Sequence, residues 1–232
     1  MITFEFRPLQ ELIKRYPFLI SESSIIERDP FGYIENLFKS FTSFMGNLCL
    51  AEIFHRERSS DSLSKFFKEF NILDIERSLH LQEIYFKEFS TSLFIDSVKI
   101  KGDDVKNTYL KFLRELISTF YFISEGEKRI TGDFIRTFIN YLGFLSLHLK
   151  GEIISPLETK GDHLKIFNFS TSSEETIKVK DNISTNLYYW IRERDIFIPL
   201  HPFMIEKTKG KERNLYLFNS LIEGEGGVYF NW

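Results

Sequence analysis

The sequence predicts an α+β fold, mainly α. An N-terminal antiparallel helix bundle spans 1–155, and a small C-terminal antiparallel β segment spans 156–232 and packs on it. Three observations carry this. Before Gly151, apolar residues recur at helical spacing in long runs. After it, short segments alternate polar with apolar or concentrate β-branched and aromatic residues between turn signals. Only 6 Pro and 12 Gly occur among 232 residues, against 26 Phe, which favours long Phe-faced helices over a many-turned sandwich.

In chain order, Leu9 to Tyr16 reads as a short helix, and Pro17 forces Phe18 to Ser21 to be extended. Asp29 as N-cap with Pro30 at the first helical position starts a strong helix. Its apolar residues are Ile34, Leu37, Phe38, Phe41, Phe44, Met45, Leu48 and Ile53. Arg56-Glu57-Arg58 and the serine-rich Ser59 to Ser62 end it. A second helix fits Leu63 to Phe70, and a third fits Ile75 to Phe94. Lys101 to Asp104 reads as a turn. A fourth helix carries Tyr109, Leu110, Leu113, Leu116, Ile117, Phe120 and Tyr121 until Ser124-Glu125-Gly126 breaks it. Thr131 and Asp133 can cap a fifth, with Phe134, Ile135, Phe138, Ile139, Leu142, Leu145 and Leu149 apolar. Short connections between such helices favour antiparallel neighbours.

The class changes near 151–160. Lys165 to Ser170, Thr176 to Lys180, Ile196 to Lys207 and Asn214 to Leu221 read as strands, and Leu187 to Arg192 is compatible with another. Gly161, Asp181-Asn182, Lys209-Gly210 and Gly224 to Gly227 supply turns. Pro199 and Pro202 cannot donate to a ladder, so the chain around His201 is expected to be an edge or a bulge. There is no internal repeat.

Composition narrows the function classes. Thirty basic and 33 acidic residues give a net charge of -3, which does not indicate nucleic acid as a partner, because phosphate neutralisation needs a concentrated basic face. No run reaches the roughly 20 apolar residues of a membrane span, and Met1 to Arg15 has no signal-peptide core. The single Cys49 lies in an apolar helical run and reads as a buried thiol. A cytoplasmic protein with no membrane partner is expected. The Phe richness reads as compositional bias.

Several motifs bear on chemistry, each with a plainer alternative. Glu52-Ile53-Phe54-His55 puts a carboxylate and an imidazole on one helix face, as di-iron bundles do. A second full motif and two more glutamates are lacking, and His80 with Glu83 is a reversed half, so surface polar residues near a helix end are the expectation. No metal and no cofactor is expected. Glu223 to Gly227 lacks the dinucleotide glycine order and reads as a hairpin loop. The basic Lys207 to Arg213 reads as a solvated hairpin tip, with a phosphate contact as the sharper alternative. Ser21 to Ser24 and Ser170 to Ser173 lack a nucleophile-elbow context. Arg192-Glu193-Arg194-Asp195 reads as a solvated turn with local ion pairs. His201 sits between prolines on a rigid backbone, with an exposed imidazole as the plain reading and a ligand-facing one as the sharper.

Leu113 to Ile117, through Gly126, to Phe134-Ile135-Arg136 and Tyr141 to Leu145 resembles the last two helices of modules in the HEPN superfamily. In active members a helix ends in Arg-Asn-x-x-x-His-Gly. Pro199 to Glu206, followed by Leu215 to Asn219 and Val228 to Phe230, resembles a small β element that follows such helices in some bacterial signalling proteins. There, comparable modules accompany kinase, cyclase or defence effector domains. In outline the resemblance covers 30–232. Where active members carry Arg, Asn and His, this chain has Phe120, Tyr121 and Glu125, with only Gly126 kept. In RNA cleavage the Arg and His would stabilise charge and move a proton, so the resemblance implies a non-catalytic scaffold.

The expectation is therefore a non-catalytic ligand-sensing or protein-interaction module of a bacterial signalling or antiphage defence system. Two alternatives stand beside it: an enzyme with a scattered site, such as a HEPN-like ribonuclease, and a structural subunit of an oligomer. The expected ligand- or partner-binding residues are His201, Arg192, Arg194, Tyr121 and Glu125. A protein partner or self-association is the expected partner class, with a small-molecule ligand also open.

Overall fold

A computed structural model of the protein describes residues 30–57, 74–89, 92–95, 99–100, 103–124, 132–180, 183–184, 186–210, 212–222 and 226–231. The helices read at Leu9 to Tyr16 and Leu63 to Phe70 lie outside these residues, as do Ser21 to Ser24 and the loop at 223–225. Among the described residues there are four α-helices: α1 (Pro30–Glu57), α2 (Ile75–Glu88), α3 (Val105–Ser124) and α4 (Gly132–His148).

The burial of α1 differs from the amphipathic expectation. Every residue from Phe41 to Ile53 is buried, so the helix is enclosed on all sides rather than along one stripe. It packs against α2 on one side and against two β-strands on another. Phe38 meets Phe134 and Phe138 edge-on at 5.2 and 5.1 Å, and Phe41 meets Tyr141, which brings α4 to a third side. Since α2 packs on α3 and α3 on α4, the helices close a ring of contacts.

Asp74 caps α2 by accepting from the Arg77 N–H at 2.8 Å. The helix stops at Glu88, short of the expected Phe94. Phe89 is extended, and Ser90-Thr91-Ser92 follows, side chains that compete with helical bonding. Ser92 Oγ accepts from the Ile95 N–H at 3.2 Å, and the Leu93 N–H turns to Glu52 on α1. Of the segment expected as a turn at Lys101 to Asp104, Asp103 and Asp104 form a short strand β2 (Asp103–Asp104) paired with β1 (Lys99–Ile100), while Lys101 and Gly102 lie outside the described residues.

The β half begins at Glu152. Gly151 makes the turn into it with φ of +123°, and any side chain there would collide with the Tyr189 ring. Five strands form one antiparallel sheet in the order β5-β4-β3-β6-β7: β3 (Glu152–Lys160), β4 (His163–Asn168), β5 (Ser173–Lys178), β6 (Tyr188–Ile191) and β7 (Ile196–Pro199). Three more, β8 (Met204–Lys209), β9 (Glu212–Ile222) and β10 (Gly226–Asn231), form a second in the order β10-β9-β8.

The central strand β3 was not expected. Ile153, Ile154 and Ser155 are all buried, so alternation is lost where both faces are covered. Pro156 sits at a register shift toward Glu158, which absorbs its missing donor. The single strand expected over Ile196 to Lys207 is two strands in different sheets. Pro199 to Pro202 breaks it, and the Leu200 N–H bonds back to Leu187 O at 2.8 Å. Both pieces, β7 and β8, end their sheets, where proline costs no ladder bond. The His201–Pro202 peptide is cis.

One contiguous core joins helices and strands. Beside the α1 residues it holds Ile153, Tyr189, Ile198, Leu200, Phe203, Met204, Leu217 and Phe218. Phe54 of α1 lies edge-on to Phe203 at 6.2 Å. Asn47 Nδ2 reaches across to Phe218 O at 3.2 Å. Burying each large β-segment side chain contributes roughly 1.5 to 3 kcal/mol as an upper figure. The opposite face of the five-stranded sheet has its own smaller cluster, Ile154, Leu164, Ile166, Ile177, Val179, Tyr188 and Trp190. Neighbours such as Ile153 and Ile154, or Tyr188 and Tyr189, divide between the two clusters, as a period of two requires.

Candidate functional site

The two sheets meet at an open groove of about 380 Å³. Ser155 of β3 and Asn186-Leu187 before β6 form one wall. Met204, Ile205, Glu206 and Thr208 of β8, with Arg213 of β9, form the other, and His201 stands on the connecting turn. Thr208 lies opposite Arg213 across the β8–β9 hairpin, whose tip Gly210 has φ of +64°. Arg213 Nη1 pairs with Glu206 Oε1 at 2.5 Å, and its guanidinium lies over the Phe167 ring at 5.0 Å. The groove thus presents hydroxyls, an amide and an imidazole beside an internally neutralised Glu206–Arg213 pair. No hydrogen bond joins His201 to Glu206.

Of the expected ligand- or partner-binding residues, His201 alone lines this groove, joined by Thr208 and Arg213 from the basic run Lys207 to Arg213. His201 is exposed, as the plain reading required. Arg192 and Arg194 are on a 3-10 turn (Arg192–Arg194) elsewhere on the five-stranded sheet, both exposed. The ion pairs of Arg192 are not local to the turn. Its Nη2 meets Glu152 Oε2 of β3 at 3.0 Å and Glu175 Oε1 of β5 at 2.8 Å. Asn168 Nδ2 of β4 bonds the same two carboxylates at 2.9 and 2.8 Å. The guanidinium also covers the Trp190 ring at 4.1 Å, and Trp190 stacks on Phe197. Burial draws the Arg192 pKa down, but the bonds to Glu175 and Glu152 outweigh it and hold it above its usual value. Arg192 is a clamp across three strands, already committed to two carboxylates. Tyr121 lies on the last turns of α3, and Glu125 lies outside the described residues.

The Glu52-x-x-His55 motif corrects the expectation of a surface pair. Glu52 is fully buried. Both its oxygens accept from the Leu93 N–H at 3.0 Å, and Oε1 accepts from Arg56 Nε at 2.7 Å. The Tyr85 hydroxyl lies near it without forming a well-aligned bond. Burial pushes the Glu52 carboxyl above its usual range, against the lowering influence of Tyr85, Arg56 and Leu93. His55 is half-buried and His80 exposed. Glu83 is taken by Lys87 at 2.9 Å and Arg114 at 3.3 Å. Among the described residues no three His, Cys, Asp or Glu side chains cluster closely enough to hold a metal ion. Cys49 is buried, and burial pushes its thiol well above the usual value. Among the described residues no helix is long and apolar enough to cross a membrane.

Thr208 and Arg213 were overlooked individually because Lys207 to Arg213 was read as one charged tip, and Glu206 lies just before that run. The i, i+2 spacing of Glu206 and Thr208, which places both on one strand face, was the available signal. Nothing in the sequence announces Ser155 or Asn186, which arrive from a strand and a connection separated from β8 by topology.

No family model, no curated protein and no solved structure matches the chain.

Proposed function

We propose that the chain is a non-catalytic binding module whose ligand or partner occupies the groove between the two sheets, with the four helices as an antiparallel bundle supporting it. The supporting observation is the convergence of Ser155, Asn186, His201 and Thr208 from separate elements on one opening. A few polar groups converging from rigid elements are what orient a bound molecule. Among the described residues the one carboxylate in the lining, Glu206, is tied to Arg213 and makes no hydrogen bond to His201. The HEPN resemblance, with Phe120 and Tyr121 where active members carry polar catalytic groups, supports the same non-catalytic reading and a bacterial signalling or antiphage defence setting.

The test is amide NMR of the intact chain titrated with a panel of small carboxylates, phosphates and nucleotides. Saturable shifts at Ser155, Asn186, His201 and Thr208, weakened at least tenfold by His201→Ala, are expected from at least one compound. Shifts confined to other surfaces would remove the groove reading.

A further inference from the structure

The hydrogen-bond parity of β8 identifies what its free edge offers. The Phe218 N–H bonds Phe203 O at 2.8 Å, and the register continues without a shift to Lys209 opposite Glu212. Bonded pairs alternate with non-bonded ones along an antiparallel ladder. Ile205, Lys207 and Lys209 therefore bond β9, while the backbone N–H and C=O of Met204, Glu206 and Thr208 face the other way. β8 ends its sheet. The Met204 N–H is taken by Leu200 O at 2.8 Å. The outward backbone groups of Glu206 and Thr208 have no partner among the described residues, and both residues line the groove.

Two adjacent outward residues are the minimal template for an added strand, with up to four backbone hydrogen bonds. Charge decides the occupant. Glu206 is neutralised by Arg213, whereas Lys207 and Lys209 are exposed along the strand, Lys207 Nζ lying over the Tyr216 ring at 4.7 Å. Lysines on an edge discourage indiscriminate pairing. They also disfavour a second copy of this chain, because antiparallel pairing of two β8 strands centred on Lys207 or on Thr208 sets lysine against lysine. An acidic strand meets no such repulsion.

We infer that β8 is a strand-addition site, where an extended acidic segment of a protein partner pairs antiparallel with Glu206 and Thr208 and lays side chains into the groove. This rests on the groove reading above and names the class of its occupant.

The experiment uses the intact chain and a fluorescein-labelled, acetylated heptapeptide of alternating valine and glutamate, read by fluorescence anisotropy. Two control peptides accompany it: one N-methylated at alternate amides, and one with lysine in place of glutamate. Thr208→Pro removes one outward N–H and leaves the β8–β9 ladder intact, since that group does not bond β9. The acidic peptide is expected to bind, and both control peptides and Thr208→Pro each to weaken binding at least tenfold. The melting temperature of the variant should stay within a few degrees of the parent. Equal binding of the N-methylated peptide overturns strand addition even if Thr208→Pro fails to fold. A peptide-free dimer that Thr208→Pro dissociates overturns it in favour of a second copy. No binding of the acidic peptide, with groove shifts still produced by the small-ligand panel, overturns this inference and leaves the groove reading standing. Silence in both assays removes both.

Discussion

The helical half and the β half share one apolar core but treat their polar groups in opposite ways. Among the helices the central polar knot is inside. Gln82 Oε1 accepts from Tyr109 at 2.7 Å and Tyr141 at 3.2 Å, while its Nε2 donates to Thr42 O and Ser78 O at 3.2 and 3.0 Å. One amide thus ties α1, α2, α3 and α4 together in the buried interior. In the β half the comparable knot has Asn168 buried beneath it, but its charged members reach the surface of the sheet, with the Arg192, Glu152 and Glu175 side chains 48%, 27% and 31% exposed. A polar group enclosed by helices has only its drawn partners, whereas one on the sheet can fall back on water. Losing a partner should therefore cost much more inside the helices.

The largest effect should come from separating the halves. Truncation after residue 160 strips Tyr189, Ile198, Leu200, Phe203, Leu217 and Phe218 from the common core. The remaining fragment should aggregate or melt without a cooperative transition. A soluble fragment with the unfolding curve of the intact chain would show that the shared core does not couple the halves.

Next is Gln82→Ala. It leaves a cavity and removes the acceptor of two buried hydroxyls together with the donor to two buried carbonyls, a loss of about 3 kcal/mol. Urea unfolding measures it. A loss below about 1 kcal/mol would mean that the hydroxyls of Tyr109 and Tyr141 satisfy each other, as their 3.0 Å separation permits.

Glu52 and Glu175 bring the comparison to single carboxylates, each bonded to an arginine yet shifted oppositely. Burial raises Glu52, and Arg56 does not overcome it. Burial also acts to raise Glu175, but Asn168 and Arg192 overcome it and hold it low. A raised carboxyl contributes stability that is fully present below the unfolded value of about 4.3 and is lost as pH rises through the folded one. A lowered carboxyl contributes stability that is present above that value and is lost as pH falls through the folded one. Glu52→Gln should therefore flatten the decline in stability above about pH 4, and Glu175→Gln should remove part of the loss on acidification. Unfolding free energies across pH 3 to 8 separate the two, and slopes of the same sign would break the contrast.

These contrasts also show what was legible in the chain. The helix starts at Pro30 and Ile75, the change of class near 151 and the exposure of His201 follow from local residues, through caps, periodicity and proline. The enclosure of α1 did not, because a helix covered by strands as distant in the chain as β7 and β9 looks amphipathic in its own sequence. For the same reason Glu52 read as a surface residue. β3 was hidden by losing its alternation where both faces are covered, and the long-range targets of Arg192 were hidden because strand order is not written in spacing. The groove shares that cause, since its walls meet only once two sheets are assembled.

Arg192→Ala should cost roughly 1 kcal/mol, discounted for exposure, and should shift Trp190 fluorescence because the covering guanidinium is gone. The smallest effect belongs to Lys165 and Glu174, on neighbouring strands of the same sheet, 2.6 Å apart and both about half exposed. Lys165 holds the Glu174 carboxyl below its usual value. The pair nevertheless lacks the three features that give the Arg192 knot its strength: a shared amide, a second carboxylate and an aromatic ring beneath. Two flexible chains held in one geometry lose entropy that the screened attraction barely offsets. Lys165→Ala and Glu174→Ala, alone or together, should leave the melting temperature at pH 7 unchanged within error. Whatever the pair contributes is lost as pH falls through the lowered Glu174 value. A double-mutant cycle against Arg192→Ala and Glu175→Ala puts both pairs on one scale. A coupling in the exposed pair equal to that of the clamped one would show that burial and aromatic backing do not decide how ion pairs count in this sheet.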